Sequence, residues 1–423
     1  MNKRRFNFKK SFLTRNFKQI QILLFILTSG VLLVHMRNQN VDFRVFYDSG
    51  RYLFHGVSPY LHSKDPFAQY LNGPLTLIFL SPFTLFKYDL ALQLFRIFSF
   101  VAAYQIIKYF FNPKEYSTWM YLTFAILAFS FRANIQYGAL GIFFLFIFFQ
   151  GLKMLKDQNV ILNYIGYLFL ASCIDFKPYL FLPLFLIFSE NKRLKNISLI
   201  IILIVSEITF FSFLINQNIF SDIFSAYKIR YRAYGGGDQM DLRSLFIYLN
   251  FNKFEADIFY FLLIFIVVLL IKKTKIELRK PPIILLCAGI VFLPFLHPTD
   301  LFLPTIVSLS YFFSKKFNVG KIEWFCLGSI FVWSNSIIYA MFVIIILVLA
   351  MLLSDFKKYH KNAPFFIFPS LIFPFICKVS PWAESFNRRF FNIGGLVFLI
   401  LITIPYLSRK DIEIERIFKS LTF

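Results

Sequence analysis

Charged residues are scarce in this sequence, and most of them carry one sign. Only 16% of the 423 residues are charged, and Lys and Arg together number 45 against 22 for Asp and Glu. Soluble domains carry about 25% charged residues, so the composition excludes an ordinary soluble protein. The longest polar interval, residues 216–256, is too short to bury a sizeable core of its own.

Cysteine and the familiar chemical motifs are also sparse. The five histidines are scattered, which indicates no metal cluster and no divalent-metal requirement. The three consecutive glycines at 235–237 fit neither Walker nor Rossmann spacing, and no nucleotide-sugar motif is visible. We therefore expect no cofactor. The four cysteines lie in or beside apolar segments, without metal-binding or redox spacing, at Cys173, Cys287, Cys326 and Cys377.

Long apolar runs make up most of what is present. Hydrophobic residues are 58% of the chain, the mean hydropathy is +0.65, and apolar segments recur from residue 18 to residue 406. A helix needs about 20 apolar residues to cross the hydrocarbon core of a membrane. We therefore expect an all-α integral membrane protein, a single polytopic helical bundle over residues 1–423 with about 12–14 spans.

The basic residues indicate the orientation of this bundle. Residues 1–18 contain seven basic residues and no acidic one, which places the amino terminus in the cytoplasm and the loop 37–67 outside. Later basic blocks place the carboxy terminus in the cytoplasm and the polar loop 216–256 outside. The net charge of +23 then belongs to the cytoplasmic side of an inner (plasma) membrane protein, not to nucleic-acid binding.

One early segment conflicts with this orientation. If every apolar run is counted as a span, the loop 37–67 falls on the cytoplasmic side. The runs 117–131 and 138–152 are short for full spans and are separated by the polar residues 132–136. We expect the chain to break or re-enter here, because irregular backbone is tolerated at membrane depth where it lines a cavity.

Two carboxylates, Asp42 and Asp48, follow the first apolar segment in the loop 37–67. They are six residues apart, so on a helix they would point in different directions and would not form a tight dyad. Asp42 is our candidate for a general base that removes the proton of an acceptor hydroxyl. The alternative for Asp42 is the N-cap of a short loop helix.

Cationic residues on the same outer side are candidates for phosphate binding. Lys177 interrupts an apolar stretch just before a proline and either binds a lipid-linked phosphate or snorkels beside a kink. Arg230 and Arg232 alternate with tyrosines in the loop 216–256. They either bind phosphate, with the tyrosines stacking on sugar, or meet anionic lipid head groups. His297 either hydrogen-bonds a phosphate or lies in a capped turn.

One acidic residue is placed where lipid would surround it. Glu207 lies in the middle of the apolar run 197–215. Because an ionisable group at membrane depth is costly when it faces lipid, we expect this side chain to face the protein interior. We interpret it as a protonated or hydrogen-bonded glutamate that ties helices together.

Four segments near the amino terminus together resemble glycosyltransferase family 87. They are Asp42-Phe43-Arg44-Val45-Phe46-Tyr47, Gly56-Val57-Ser58-Pro59-Tyr60, Phe67 to Tyr70 with Pro74, and Ser81-Pro82. Further along, Asp175-Phe176-Lys177-Pro178 is similar to the family's Lys-Pro step. In Tyr137-Gly138-Ala139-Leu140-Gly141, Ala139 and Gly141 stand where members often carry amide side chains. The likeness covers residues 42–86 well and thins after about residue 190.

This resemblance implies a C-type glycosyltransferase fold whose active site is formed by outer-face loops. It implies inverting transfer of a hexosyl or mannosyl group from a polyprenyl-phosphate sugar to a lipid or glycan acceptor, with Asp42 as the catalytic base. The expected partners are this donor, the acceptor and membrane lipids. We assign donor phosphate binding to Lys177, Arg230, Arg232 and His297, and acceptor or sugar binding to Tyr47, Tyr60 and Asp48.

Two functions of other classes stay open. A transporter or flippase of lipid-linked sugars would suit intramembrane charges such as Glu207 and Arg96, although no internal repeat is visible in the sequence. A glycan polymerase or ligase would use arginines of the loop 216–256 to bind a pyrophosphate lipid. An essential Asp42 favours the transferase, whereas essential loop arginines with a dispensable Asp42 favour the polymerase.

Overall fold

The structure of this chain, a computed structural model, is helical throughout the residues that it describes. No β-strand occurs within these residues, so the all-α prediction is confirmed for this part of the chain. The described residues are 19–33, 41–60, 70–110, 118–177, 180, 184, 188, 190–233, 251–262, 302–303, 305–306, 309 and 345.

The helices are numbered in chain order. They are α1 (Gln19–Leu33), α2 (Val41–Phe54), α3 (Pro74–Thr84), α4 (Tyr88–Phe110), α5 (Thr118–Leu127), α6 (Phe129–Tyr137), α7 (Gly141–Met154), α8 (Val160–Phe176), α9 (Glu190–Leu214) and α10 (Ile219–Ala233). Residues 253–262 are also helical. Hydropathy did not indicate α10, which lies within the polar interval 216–256.

Several helix ends follow from their local residues. Pro74 begins α3, where the missing N–H costs nothing and the fixed φ suits the first turn. Asn159 caps α8, because its side-chain oxygen accepts a 2.9 Å hydrogen bond from the amide two residues on. Gly56 ends α2 with a φ of 70°, and the Val57 amide donates to the Tyr52 carbonyl at 3.0 Å. This is the glycine-terminated helix end that an L side chain would strain.

Among the described helices, two are long and apolar enough to cross a membrane. They are Tyr88–Lys108 within α4 and Lys192–Leu214 within α9, and a third span results if the bent pair Ser130–Tyr137 and Gly141–Met154 counts as one. Large apolar side chains on the outer faces of α4 and α9 are exposed, among them Phe98 and Phe210. Contiguous apolar surface of this kind is suited to contact with lipid. Helices able to span a membrane are therefore present, as the sequence predicted, and the 12–14 spans stay a prediction.

The region in which the sequence predicted a break is bent, but the polar residues 132–136 are helical within α6 and the bend lies after them. The helices on the two sides of residues 138–140 are bent by 108° relative to one another. Gly138 ends α6 with a φ of 66°, and the Ala139 amide donates to the Asn134 carbonyl at 2.8 Å. Because this conformation is most favourable for glycine, the break is set by the local sequence.

The chain divides into two compact units. The first contains Met1–Asn38, Phe110–Arg132 and Pro304–Ile402, and the second contains Gln39–Tyr109, Ala133–Leu303 and Thr403–Phe423. All the predicted site residues that the structure describes belong to the second unit. Because such a division reflects contact density and not independent folding, a single domain over residues 1–423 stays the prediction.

Within the second unit, α7 and α8 form a tightly packed antiparallel hairpin. A Cβ on Gly151 would lie 3.1 Å from the Gly166 carbonyl oxygen, and one on Gly166 would lie 3.0 Å from the Gly151 carbonyl oxygen. Small residues of this kind let two membrane helices approach closely. α9 runs beside α8 in the same direction, and Tyr167 donates a 2.8 Å hydrogen bond to Asn196.

The two ends of this unit differ in charge. One end, which we call the basic end, contains the α7–α8 turn and the start of α9, with Lys153, Lys156, Lys192 and Arg193. The opposite end, which we call the site end, contains the α6–α7 break and the carboxy-terminal turns of α8 and α9. The positive-inside rule predicts that the basic end is the cytoplasmic one.

Candidate active site

α2 carries Asp42 in its first turn at the site end. The side chain is half-buried, and Phe43 beside it is buried and stacks on Phe95 of α4 with ring centroids 5.0 Å apart. A helix amino terminus favours a negative charge, because the first amides have no acceptor within the helix. The position therefore agrees with the helix-end alternative, and the predicted role of Asp42 as a base stays a prediction.

The α6–α7 break packs directly against the start of α2. A Cβ on Gly138 would lie only 2.5 Å from the Cβ of Phe43. Both its positive φ and this contact require glycine at position 138. The segment 137–141 thus lies next to the segment that carries Asp42.

Tyr47 and Asp48 have contacts within the protein. The Tyr47 hydroxyl donates a 2.7 Å hydrogen bond to the Phe86 carbonyl, and its ring packs edge-on against Tyr88. Asp48 lies 3.6 Å from the Arg44 guanidinium, and both side chains are exposed. An exposed pair of this kind contributes about 0–1 kcal/mol. The predicted roles of Tyr47 and Asp48 in sugar binding stay predictions.

Tyr60 and Tyr70 form a buried aromatic pair in the connection between α2 and α3. Their ring centroids are 5.4 Å apart, and both residues are almost completely buried. Tyr60 donates to the Asn72 carbonyl at 2.8 Å, and Tyr70 donates to the Gly73 carbonyl at 2.7 Å. Burial, and then the nearby Asp175 carboxyl, raise the pKa of the Tyr60 phenol well above its usual value. Tyr60 therefore has a packing role here, and its predicted sugar contact stays a prediction.

Two hydrogen bonds join the segment after α2 to the start of α10. Ser58 donates to the Asp222 carboxylate at 2.6 Å, and the Ser58 amide donates to the Gln217 side-chain oxygen at 2.9 Å. The predicted outer loops 37–67 and 216–256 are therefore in contact at these residues.

Asp175 lies at the end of α8 and receives hydrogen bonds from the first turn of α3. One carboxyl oxygen accepts from the Thr76 hydroxyl at 3.1 Å and from the Thr76 amide at 3.3 Å. A Cβ on Gly73 would overlap this carboxyl group, so only glycine fits there. The two hydrogen bonds from Thr76 stabilise a negative charge on this carboxyl group.

Glu207 reaches the Asp175 carboxyl from α9. The two acids are neighbours whose carboxyl groups interact with each other. Both Glu207 carboxyl oxygens are buried, and among the described residues no donor forms a hydrogen bond with them. The interpretation of Glu207 as an interior acid between helices agrees with this position. Arg96, the other charge within an apolar run, is 1% exposed and also faces the interior.

The predicted phosphate-binding residues are described to different extents. Lys177 ends α8, and its ammonium lies 5.4 Å from the centroid of the Phe176 ring. Arg230 and Arg232 lie on α10, which starts at the site end, and only their backbone is described. His297 lies outside the described residues.

Sequence reasoning missed Ser58, Gly73, Thr76 and Asp222. Ser58 is part of a segment that carried the family resemblance, but serine next to proline is common in turns and gave no signal of its own. In the sequence, Thr76 is one polar residue within an apolar run and indicates no function. Among the described residues, no group of three or more His, Cys, Asp or Glu could hold a metal ion.

The arrangement at the site end offers a carboxylate, buried tyrosines and an acid pair within one unit. Comparison of this chain with protein-family models, with curated proteins and with solved structures finds no match in any of the three.

Proposed function

We propose that this chain is an inner-membrane glycosyltransferase of the C type, which moves a hexosyl group from a polyprenyl-phosphate sugar to a lipid or glycan acceptor at the outer face. The observation that carries the proposal is the packing of distant motif segments around α2. Phe43 contacts Gly138 of the α6–α7 break, and Phe46 packs on Phe176, next to Lys177, at 6.2 Å. The Asp42 segment and the Lys-Pro segment thus lie at one end of one unit.

The proposed reaction is a single displacement. Asp42 accepts the proton of the acceptor hydroxyl while the oxygen attacks the anomeric carbon. The bond from this carbon to the phosphate oxygen breaks, and its electron pair leaves with the polyprenyl phosphate. Attack from the face opposite the phosphate inverts the anomeric configuration. Lys177, with Arg230 and Arg232, stabilises the charge that develops on the phosphate.

The charge of the two ends supports an outer-face reaction. The lysines and arginine of the basic end are those expected in the cytoplasm, and Asp42 belongs to the site end. Glu207 is seven residues before the end of α9, so the acid pair lies about 10 Å below that end. A donor that enters laterally from the outer leaflet reaches this depth with its phosphate near Lys177.

The test is transfer of radiolabelled sugar from a polyprenyl-phosphate donor into lipid or glycan by membranes that contain the full-length protein. We expect Asp42→Asn to lower transfer by about 10²–10⁴-fold, because a positioned general base contributes roughly that factor. Donor binding should persist, since the substitution removes a proton acceptor and no phosphate contact.

Asp89→Asn is the matched control, because Asp89 is an exposed acid in the first turn of α4. This variant removes a carboxylate at a helix end and leaves the proposed base Asp42 intact. If both variants retain full transfer, Asp42 is a helix-end residue and the mechanism is wrong. If no donor of this class is used at all, a flippase or polymerase function replaces the transferase.

A further inference from the structure

Three helices meet at the Asp175–Glu207 pair. α3, α8 and α9 contact one another pairwise in the second unit. Asp175 is held from the α3 side by both donors of Thr76, whereas Glu207 approaches from α9 with its carboxyl oxygens buried. The proposed transfer reaction uses neither acid.

Two neighbouring carboxyl groups that are shielded from water cannot both be ionised. Their repulsion and the loss of hydration both favour retention of one proton. The two Thr76 donors stabilise a negative charge on Asp175, so the proton belongs on Glu207. A protonated Glu207 then donates to Asp175, which gives its buried hydroxyl a hydrogen-bond partner.

Among the described residues, the groups that affect the pair electrostatically carry no positive charge. Tyr60 and Tyr70 face it from the segment between α2 and α3, and Tyr227 and Asp222 interact with the same cluster from α10. The tyrosines are neutral, so they supply no charge that would let both acids ionise. Lys177 is two residues beyond Asp175, and its ammonium lies over the Phe176 ring.

We propose that Asp175 and Glu207 share one proton, and that this proton-bridged pair fastens the turn 72–76 to α8 and α9. Gly73 has no side chain because the Asp175 carboxyl occupies that space. The same turn supplies the carbonyls that accept from Tyr60 and Tyr70. The bridge thus holds the Tyr60–Tyr70 pair in place in the connection between α2 and α3. This inference does not depend on the proposed sugar transfer.

Infrared spectroscopy of the full-length protein in dodecyl maltoside, a detergent without carbonyl groups, tests the proposal. At pH 7.5 we expect a protonated-carboxyl C=O stretching band that shifts in deuterium oxide. Glu207→Gln should abolish this band. Asp175→Asn should change its frequency and lower the pH at which it titrates, because the neighbouring negative charge is gone. Asp222→Asn, which removes a carboxylate held by Ser58, should leave the band unchanged.

A wild-type protein without the band at pH 7.5, or a band that survives Glu207→Gln, overturns the proposal. A band that is lost in Glu207→Gln but is identical in Asp175→Asn indicates a lone protonated glutamate and also overturns the shared proton. The double variant Asp175→Asn/Glu207→Gln guards against misfolding, because two amides can still hydrogen-bond to each other. We expect it to melt close to the wild type.

The pH dependence of the melting temperature is the second measurement. If the pair keeps one proton at pH 7.5, the folded protein binds a proton that the unfolded chain loses at a pH of about 4. Stability therefore falls as the pH rises from about 4 to 7.5. We expect the fall to be smaller in the double variant, and an equal fall in both proteins would argue against the bridge.

Discussion

The two glycines that end α2 and α6 have the same backbone conformation in different surroundings. Gly56 has a φ of 70°, and a Cβ added to it would meet no atom within 4 Å, whereas Gly138 has a φ of 66° and lies against Phe43. The first position therefore tests conformation alone, and the second tests conformation together with packing beside Asp42.

We expect Gly56→Ala to destabilise the protein by about 1–2 kcal/mol, the cost of a left-handed conformation for an L residue. Gly138→Ala should cost roughly 1–3 kcal/mol more, because overpacking forces Phe43 to move. Thermal unfolding of the two purified variants in detergent gives the comparison. Equal destabilisation would mean that α2 and the break do not touch at Phe43.

Among the helices, α10 has one face buried against the core and an adjoining face of exposed aromatic side chains. Ile219 and Ala226 are buried against the core, and Asp222 between them receives the Ser58 hydrogen bond. Phe220 and Phe224 are 63% and 72% exposed on an adjoining face. An exposed aromatic strip on a helix that follows a membrane span is suited to the membrane interface, where aromatic side chains are enriched.

We expect a nitroxide at Phe220 to be relaxed by dissolved oxygen, which partitions into lipid, more than by a water-soluble paramagnetic reagent. Ser221 is the matched control, because it is exposed and lies about 100° around the helix from Phe220. Electron paramagnetic resonance of both labelled proteins in nanodiscs provides the measurement. The same accessibility at both positions would show that α10 does not lie on the membrane.

For the molecule as a whole, the side of the membrane on which the candidate site lies follows from the contact between the end of α2 and the end of α9. The hydrogen bonds of Ser58 to Gln217 and Asp222 keep the end of α2 near the carboxy-terminal end of α9. Lys192 is at the other end of that span, roughly 30–35 Å away for a helix of this length. We therefore expect Ser58 and Lys192 to lie on opposite sides of the membrane.

We expect a membrane-impermeant maleimide to label Arg51→Cys in intact spheroplasts and to label Lys192→Cys only after the membrane is opened. Both positions are exposed, so reactivity reports the side of the membrane and not burial. The measurement uses variants in a background without the four native cysteines. The reverse pattern would place Asp42 in the cytoplasm and exclude a donor from the outer leaflet.

The local sequence predicted those parts of the fold that depend on hydropathy and on single residues. The apolar helices followed from the apolar runs, and an interruption between the runs 117–131 and 138–152 followed from their shortness, although it lies at Gly138 and not at the polar residues 132–136. The interior position of Glu207 followed from the cost of exposing an acid to lipid. Each of these effects acts within a few residues, so no knowledge of distant contacts was needed.

Which distant residues meet could be read only from the packed helices. Gly138 lies against Phe43, Thr76 and Glu207 hold Asp175, and Ser58 joins Asp222, although these partners have no shared local signal. Such contacts depend on how the helices pack and at what depth each ends, which hydropathy does not specify. Local chemistry was thus enough to predict membrane helices with an acid inside them, whereas helix packing gave that acid a second carboxyl as its neighbour.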